Sequence, residues 1–460
     1  MKNMTLENIA RACGGIYYGS EESRKKEVAD IVTDSREAKE GSLFIAIRGE
    51  RVDAHRFIPA VFAQGALCVI CEEAPKEAAG AYIVVESSLQ AVKDIAEFYR
   101  QQLDIRVIGI TGSVGKTSTK EIIASVLAEK YNVLKTQKNF NNELGLPLTI
   151  FRLREEHEVA VLEMGINHFG EMHRLSKVAR PDYCVITNIG QCHLEFLGDR
   201  DGVLRAKSEI FDYLSATGRV ILNGDDDKLA TVTEVHGIRP LFFGCDIDRY
   251  VPKDVYADQI EYLGLKGVRC RIHVGEQEFT VTIPIPGYHM VLNALAATAV
   301  GRTLGLTTEE IARGIEKLET LGGRLHMIEH EGVTVIDDCY NANPASMKAS
   351  LRVLANAPGR KIAILGDMGE LGEEELALHR EIGAFAAELA LDELICVGAL
   401  SEGMAQAAKA VKADMKILWT EQLEDALSQI PEEIRPGDYV LVKASHFMHF
   451  EKVVDVLTKE

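Results

Sequence analysis

Val107-Ile-Gly-Ile-Thr-Gly-Ser-Val-Gly-Lys-Thr-Ser-Thr-Lys120 is the stretch whose reading decides the fold. The apolar run from Ile105 to Ile110 predicts a buried strand. Gly112 and Gly115 break that run, and an amphipathic pattern follows from about Thr117 to Lys130. Strand, glycine loop and helix in that order make a phosphate cradle: the glycines let backbone N–H groups approach phosphate oxygens, and the helix N-terminus adds a positive field. Thr111, Gly112, Ser113, Val114 and Gly115 form the expected cradle for ATP. Lys116 would reach the β- and γ-phosphates, and the Thr117 hydroxyl would ligate Mg²⁺. The strict P-loop pattern would place glycine at position 110; here Ile110 stands there, with Gly109 one place early.

Outward from this loop, the chain of 460 residues has room for roughly three domains, each with its own core. A net charge of −19 disfavours general binding to nucleic acid or anionic membranes. The first residues lack a secretory apolar core, and no apolar run approaches the ~20 residues of a membrane helix. The nine cysteines are scattered through apolar segments, the pattern of reduced thiols. Cys68-Val-Ile-Cys71 lies within such a segment and predicts core packing, not a metal or redox pair. A soluble cytoplasmic monomer is the expectation.

Alternating apolar runs and helical patterns predict an α/β protein of three domains. These are a small α/β N-terminal domain (1–100), a central P-loop domain with a doubly wound, mostly parallel sheet (101–320), and a Rossmann-like C-terminal domain (321–460). Central strands are expected at 105–110, 158–164, 182–187, 219–223 and 240–243. An antiparallel flap should occupy 254–286, followed by a helix from His289 to Leu304. In the third domain strands are expected at 332–337, 361–366, 393–397 and 438–443. In the first, 53–65 predicts an N-capped helix that ends at Gly65.

Ligands of open α/β sheets collect beyond the carboxyl ends of the strands. Glu163 closes the run Val159-Ala-Val-Leu-Glu163, where its carboxylate is either an Mg²⁺ ligand or a cap. His193 follows the 182–187 strand; alone, a loop histidine is more often a surface or capping residue than a ligand. Lys207 alone would be a solvated helix lysine. Asn139, Asn141 and Asn142 are either turn formers or polar clamps for an acyl group.

Taken together, the motifs resemble the Mur ligase family, whose ATP-dependent enzymes form amide bonds in peptidoglycan precursor synthesis. The resemblance is carried by Thr111-Gly-Ser-Val-Gly-Lys-Thr117, Asn141-Asn-Glu-Leu-Gly145, Glu163, Asn188-Ile-Gly-Gln-Cys-His193 and Ala206-Lys-Ser-Glu209. It continues through Asn293, Gly323-Arg324, Asp337-Asp-Cys-Tyr-Asn-Ala-Asn-Pro344, Leu365-Gly-Asp-Met-Gly-Glu-Leu-Gly372 and Leu441-Val-Lys-Ala-Ser445, in family order over nearly the whole chain. The 337–344 and 365–372 motifs look like those of the member that joins D-alanyl-D-alanine to UDP-N-acetylmuramoyl-tripeptide. The Asp-Tyr-Ala-His-Thr-Pro of the member that adds the third residue is absent.

The resemblance implies an acyl-phosphate route with ATP and two Mg²⁺ ions. It implies that Thr117 and Glu163 hold one ion, and His193 with a CO₂-carbamylated Lys207 the other. Lys116 and Arg324 would contact the phosphates, Asp338 the ribose, and Asn293 and Asn341 the adenine or its surroundings. Ser35 and Arg36 of Thr33-Asp-Ser-Arg36 would anchor the UDP moiety, with Asn142 on the substrate side and Arg48 and Asp53-Ala-His55 as weaker candidates. Two positions depart from the family: Cys339 where serine is usual, and His446 where many relatives carry arginine. The alternatives are a sister ligase of the amino-acid-adding or folylpolyglutamate type, and a P-loop switch or motor.

Overall fold

The computed structural model describes residues 1–49, 52–76, 79–247, 249–320 and 322–459. Leu321 and Glu460, the expected bounds of the third domain, lie outside the described residues. The secondary structure is built on three sheets, one for each expected domain.

The first sheet runs in the order β1 (Ile16–Tyr18), β5 (Ala81–Val84), β4 (Cys68–Cys71), β3 (Ser42–Ile45), β2 (Asp30–Val32). Strands β2 to β5 are parallel and β1 is antiparallel to β5. Both thiols of Cys68 and Cys71 are wholly buried on β4, and Cys71 packs with Phe44, Ile58 and Val69. All nine cysteines are unbridged. The expected 53–65 helix is split into a 3₁₀ turn, Ala54–Phe57, and a helix, Ile58–Ala63. The cause is local: the Asp53 carboxylate accepts from His55 N at 3.0 Å, which tightens the first turn, and Pro59 has no N–H to offer.

The central segment contributes β6 (Arg106–Thr111), β7 (Val133–Lys135), β8 (Val159–Glu163), β9 (Tyr183–Ile186), β10 (Arg219–Asn223), β11 (Leu241–Gly244), β12 (Val255–Tyr262), β13 (Val268–Val274) and β14 (Gln277–Ile283). The chain divides into two compact units: Met1–Thr111 with Lys130–Val185 and Ser208–Val220, and Gly112–Glu129 with Ile186–Lys207 and Ile221 onward. In the first unit β8 lies between β6 and β7, all parallel. In the second, β12, β13 and β14 form the expected antiparallel flap. Within β6, Gly109 is a packing glycine: a Cβ there would stand 3.1 Å from Met164 Sδ. Ile110 is core, so the loop proper begins beyond it.

The third sheet has the order β15 (His326–His330), β16 (Val333–Asp337), β20 (Asp438–Lys443), β17 (Arg360–Gly366), β18 (Glu393–Val397), β19 (Lys416–Thr420). All pairs are parallel except the β15–β16 hairpin. Because β20 returns between β16 and β17, the carboxyl ends of these three strands gather Asp338, Asp367 and Lys443 on one edge. At the opposite edge, Arg360 donates to Asp438 Oδ2 at 2.9 Å and pairs closely with Glu393. Glu393 is fully buried and Asp438 nearly so; burial pushes the Glu393 carboxyl up. Arg360→Ala would leave buried Glu393 with Lys416 and Asp438 with the Arg435 N–H, and should cost about 3 kcal/mol. The single tryptophan, Trp419 on β19, reports this sheet directly, so the loss should appear as a lower urea midpoint in its fluorescence.

No helix among the described residues is long and apolar enough to cross a membrane.

Candidate active site

Glycine at 112 and 115 is a steric requirement. Gly112 has φ +149°, and a Cβ there would lie 1.9 Å from Thr187 Oγ1. Gly115, at φ +82°, is the N-cap of the helix Lys116–Leu127, whose first-turn N–H groups therefore face outward from a left-handed cap. Lys116 folds back over the loop, Nζ donating to Gly112 O at 2.8 Å. Thr117 is buried at the first turn.

The loop's shape is imposed by the segment after β9. Asn188 Oδ1 accepts from Val114 N at 2.9 Å, while Asn188 Nδ2 and Thr187 Oγ1 both donate to Val114 O. Ser113 Oγ accepts from Gly190 N at 2.8 Å and from the Cys192 thiol at 3.1 Å. The 188–193 segment is itself held by Asp226, which accepts from Ile189 N, and by Arg200, which donates to Ile189 O. Thr119 Oγ1 donates to Asn293 Oδ1 at 3.0 Å, which places Asn293 beside Gly115. Thr187 and Asn188 carry no site role in the sequence reading. Their signal was the polar carboxyl end of an apolar strand and, for Asn188, its place at the head of the 188–193 motif.

Lys207 is fully buried and its Nζ has no hydrogen-bond partner. Burial is the main cause that lowers its pKa from 10.5 to about 8; the Lys116 charge adds to it and Cys192 opposes it. That shift makes the neutral amine far more populated at neutral pH than on an ordinary lysine. Such an amine can react with CO₂. His193 caps the next helical turn at φ +52°. Its Nδ1 lies 2.5 Å from Glu370 Oε2, a close approach of charge-bearing groups off the direction of an aligned hydrogen bond. Burial lowers the His193 pKa, with Glu370 opposing and Lys207 and Lys116 reinforcing it. Among the described residues no group of three or more His, Cys, Asp and Glu is gathered as a ready metal site.

In the first compact unit, Glu163 is buried at the end of β8 in register with Ile110, two residues before Gly112. Asn141 Nδ2 donates to Glu163 Oε1 at 2.8 Å, and Glu163 N donates to Thr136 Oγ1. Asn141, not Asn142, is the asparagine aimed at this carboxylate; Asn142 Oδ1 caps the helix Gly145–Phe151 by accepting from Gly145 N at 2.8 Å. The Thr111 hydroxyl is buried without a partner. Ser35 opens a 3₁₀ turn capped by Asp34, and the exposed Arg36 guanidinium folds onto Asp34, holding that carboxyl down at about 2. Arg48 pairs with Asp53, whose carboxylate also meets His55 Nδ1 at 2.6 Å.

On the third sheet, Asp338 Oδ2 accepts from Ser350 Oγ at 2.5 Å and Lys443 Nζ at 2.6 Å, and Oδ1 from Leu325 N at 3.2 Å. Lys443 also donates to Asn341 O, which fixes the turn and leaves the Asn341 amide exposed. The Arg324 guanidinium lies 4.3 Å over the Tyr340 ring, which stacks on His446 with centroids 5.5 Å apart. His446 is thus part of a stack that backs Arg324. Cys339 is buried, with its thiol pushed up by desolvation.

Comparisons with known proteins cover nearly the whole chain. Residues 27–108 match a model described as the Mur ligase family catalytic domain, 110–301 the Mur ligase middle domain, and 323–446 the Mur ligase glutamate ligase domain. The UDP-N-acetylmuramoyl-tripeptide–D-alanyl-D-alanine ligase of Bacillus subtilis is 37% identical over 465 residues, covering 99% of this chain and 98% of that protein. A crystal structure of MurF from Acinetobacter baumannii superposes with a TM-score of 0.88 at 36% identity, covering 99% of each chain. The Thermotoga maritima MurF ligase in complex with ADP gives a TM-score of 0.81 at 33% identity, covering 93% of this chain and 96% of that one.

Proposed function

The chain belongs to the Mur ligase family, and from that premise we propose that its site joins D-alanyl-D-alanine to UDP-N-acetylmuramoyl-tripeptide at the expense of ATP. It is an ATP-dependent, amide-bond-forming ligase. The tripeptide's terminal carboxylate cannot expel an oxide ion. Attack of that carboxylate on the γ-phosphorus breaks the bond to ADP and leaves an acyl phosphate. The dipeptide amine then adds to the acyl carbon, phosphate departs, and the amine proton is lost to give the amide. Lys116, beside Gly112, draws charge from the β- and γ-oxygens as the transferring group moves.

The observation that carries this reading is Lys207. A purely structural lysine is paired or exposed, and a hydrolytic P-loop switch has no use for a buried, partnerless amine near its loop lysine. Carbamylation of Lys207 would make it, with His193, a ligand set for one Mg²⁺; Thr117 and Glu163 are each proposed as Mg²⁺ ligands as well. Bound Mg²⁺ neutralises the phosphate charge. Thr111 to Gly115 are proposed to cradle the phosphates and Arg324 to contact the γ-phosphate. Asp338 Oδ1 retains a lone pair for a ribose hydroxyl, and Asn341 and Asn293 serve the nucleotide. Ser35 and Arg36 are proposed for the UDP moiety and Asn142 for the substrate. The domain roles follow: 1–100 for UDP, 101–320 for ATP, 321–460 for completing the ATP site and taking the dipeptide. A cytoplasmic monomer completes the proposal.

Offered D-alanyl-D-alanine, L-lysine, diaminopimelate and glutamate together, with ATP, Mg²⁺ and the tripeptide, the protein should yield only the dipeptide adduct by mass spectrometry. Addition of a single amino acid would move it to a sister activity. ATP hydrolysis without any adduct would favour the switch.

A further inference from the structure

Glu370 belongs to no assignment made above. It sits in the turn between β17 and the helix Glu375–Glu388, at φ +60°, and it meets His193, itself at φ +52°. Two non-glycine residues in the left-handed region therefore face one another across 2.5 Å. Such conformations persist where the surroundings over-determine them, and the Glu370 turn is braced on every side. Gly369 N donates to Ser445 Oγ at 2.9 Å, and Met368 N donates to the buried His379 Nε2 at 2.9 Å. Asp367 accepts from Ser401 N and Ser401 Oγ. Gly372 follows at φ +64°, and a Cβ there would lie 3.5 Å from Glu195 N, so the turn rests on the 193–195 segment.

We infer that Glu370 is a positioning residue, which the third sheet delivers to His193 to orient its imidazole for a divalent cation. The charge of a carboxylate 2.5 Å from Nδ1 favours the proton on that nitrogen even without an aligned hydrogen bond, and leaves Nε2 to the metal, the outer-shell role common to histidine ligands. Cation affinity at His193 then depends on the docking of the 369–372 turn. The inference rests on the proposed ligand role of His193.

The test is Mn²⁺ binding, followed by electron paramagnetic resonance, to the full chain with a non-hydrolysable ATP analogue. The proteins are wild type, Glu370→Ala, Glu370→Gln, His193→Ala and the Glu370→Ala/His193→Ala pair. Glu370→Ala should weaken the His193-dependent ion by ~10–100-fold, and Glu370→Gln, which keeps an acceptor oxygen, by less. The pair should bind no worse than His193→Ala alone. If His193→Ala weakens binding and Glu370→Ala does not, or if the two losses multiply, the inference fails. If His193→Ala binds Mn²⁺ as wild type does, the ligand reading beneath it fails too. Glu370 is half exposed, and near-UV circular dichroism of each variant shows whether the fold is kept.

Discussion

Lys116→Ala will lower turnover by ~10³-fold while the protein stays folded. Phosphoryl transfer from ATP to a carboxylate brings two anions together, so the barrier is largely electrostatic. A preorganised cation in a partly dry loop is worth far more there than the same cation in water. Lys116 is so placed: its ammonium is drawn down onto Gly112 O, and the loop is held independently by Thr187 and Asn188. Removal should therefore leave the loop intact and act on kcat more than on KM. ADP release in a coupled assay, beside a thermal melt, separates the two effects. A loss under tenfold would mean that Lys116 does not face the transferring group.

Lys207→Met should cost at least ~10²-fold in activity and nothing in stability. A buried amine without a partner is a liability to the fold, since an unpaired charge away from water is unfavourable. Methionine has similar length and no charge, so the melting temperature should hold or rise. A residue kept for structure would show the reverse. Incubation with ¹³C-labelled CO₂ should give a carbamate resonance in wild type that Lys207→Met lacks. Full activity in Lys207→Met, or no such resonance, would remove the modified lysine from the account.

The phosphate loop was legible because glycine, lysine and threonine must stand at fixed places between a strand and a helix. The strands that escaped reading are edges or short: β1 is mostly exposed, and the apolar run of β19 is only three residues, Ile417 to Trp419, none of them fully buried. β15 likewise has no fully buried residue. The helix at 53–65 was legible as one element, but its division follows from a side-chain contact of Asp53 that periodicity does not encode. In the site, Lys207 and His193 were found through the motifs around them, whereas burial of Lys207 is a tertiary fact: the nine residues of the helix Arg200–Ser208, about two and a half turns, cannot say which side is dry. Asn188 acts on backbone atoms of Val114, and Glu370 acts across a long chain separation through a left-handed turn. Both stand in quoted motifs, but the partner each one meets is not written in the local sequence. Asn142 shows the opposite case, a polar residue whose nearest use is a helix cap.

The central claim is that the tripeptide carboxylate is itself phosphorylated. With ¹⁸O in that carboxylate, the phosphate released during ligation should carry one labelled oxygen, because the acyl–oxygen bond breaks when the amine displaces phosphate. Mass analysis of the phosphate reads this directly. One ¹⁸O per phosphate, formed only when D-alanyl-D-alanine is present, is the predicted result. Unlabelled phosphate would mean that ATP is split by water, and would contradict the acyl-phosphate ligase.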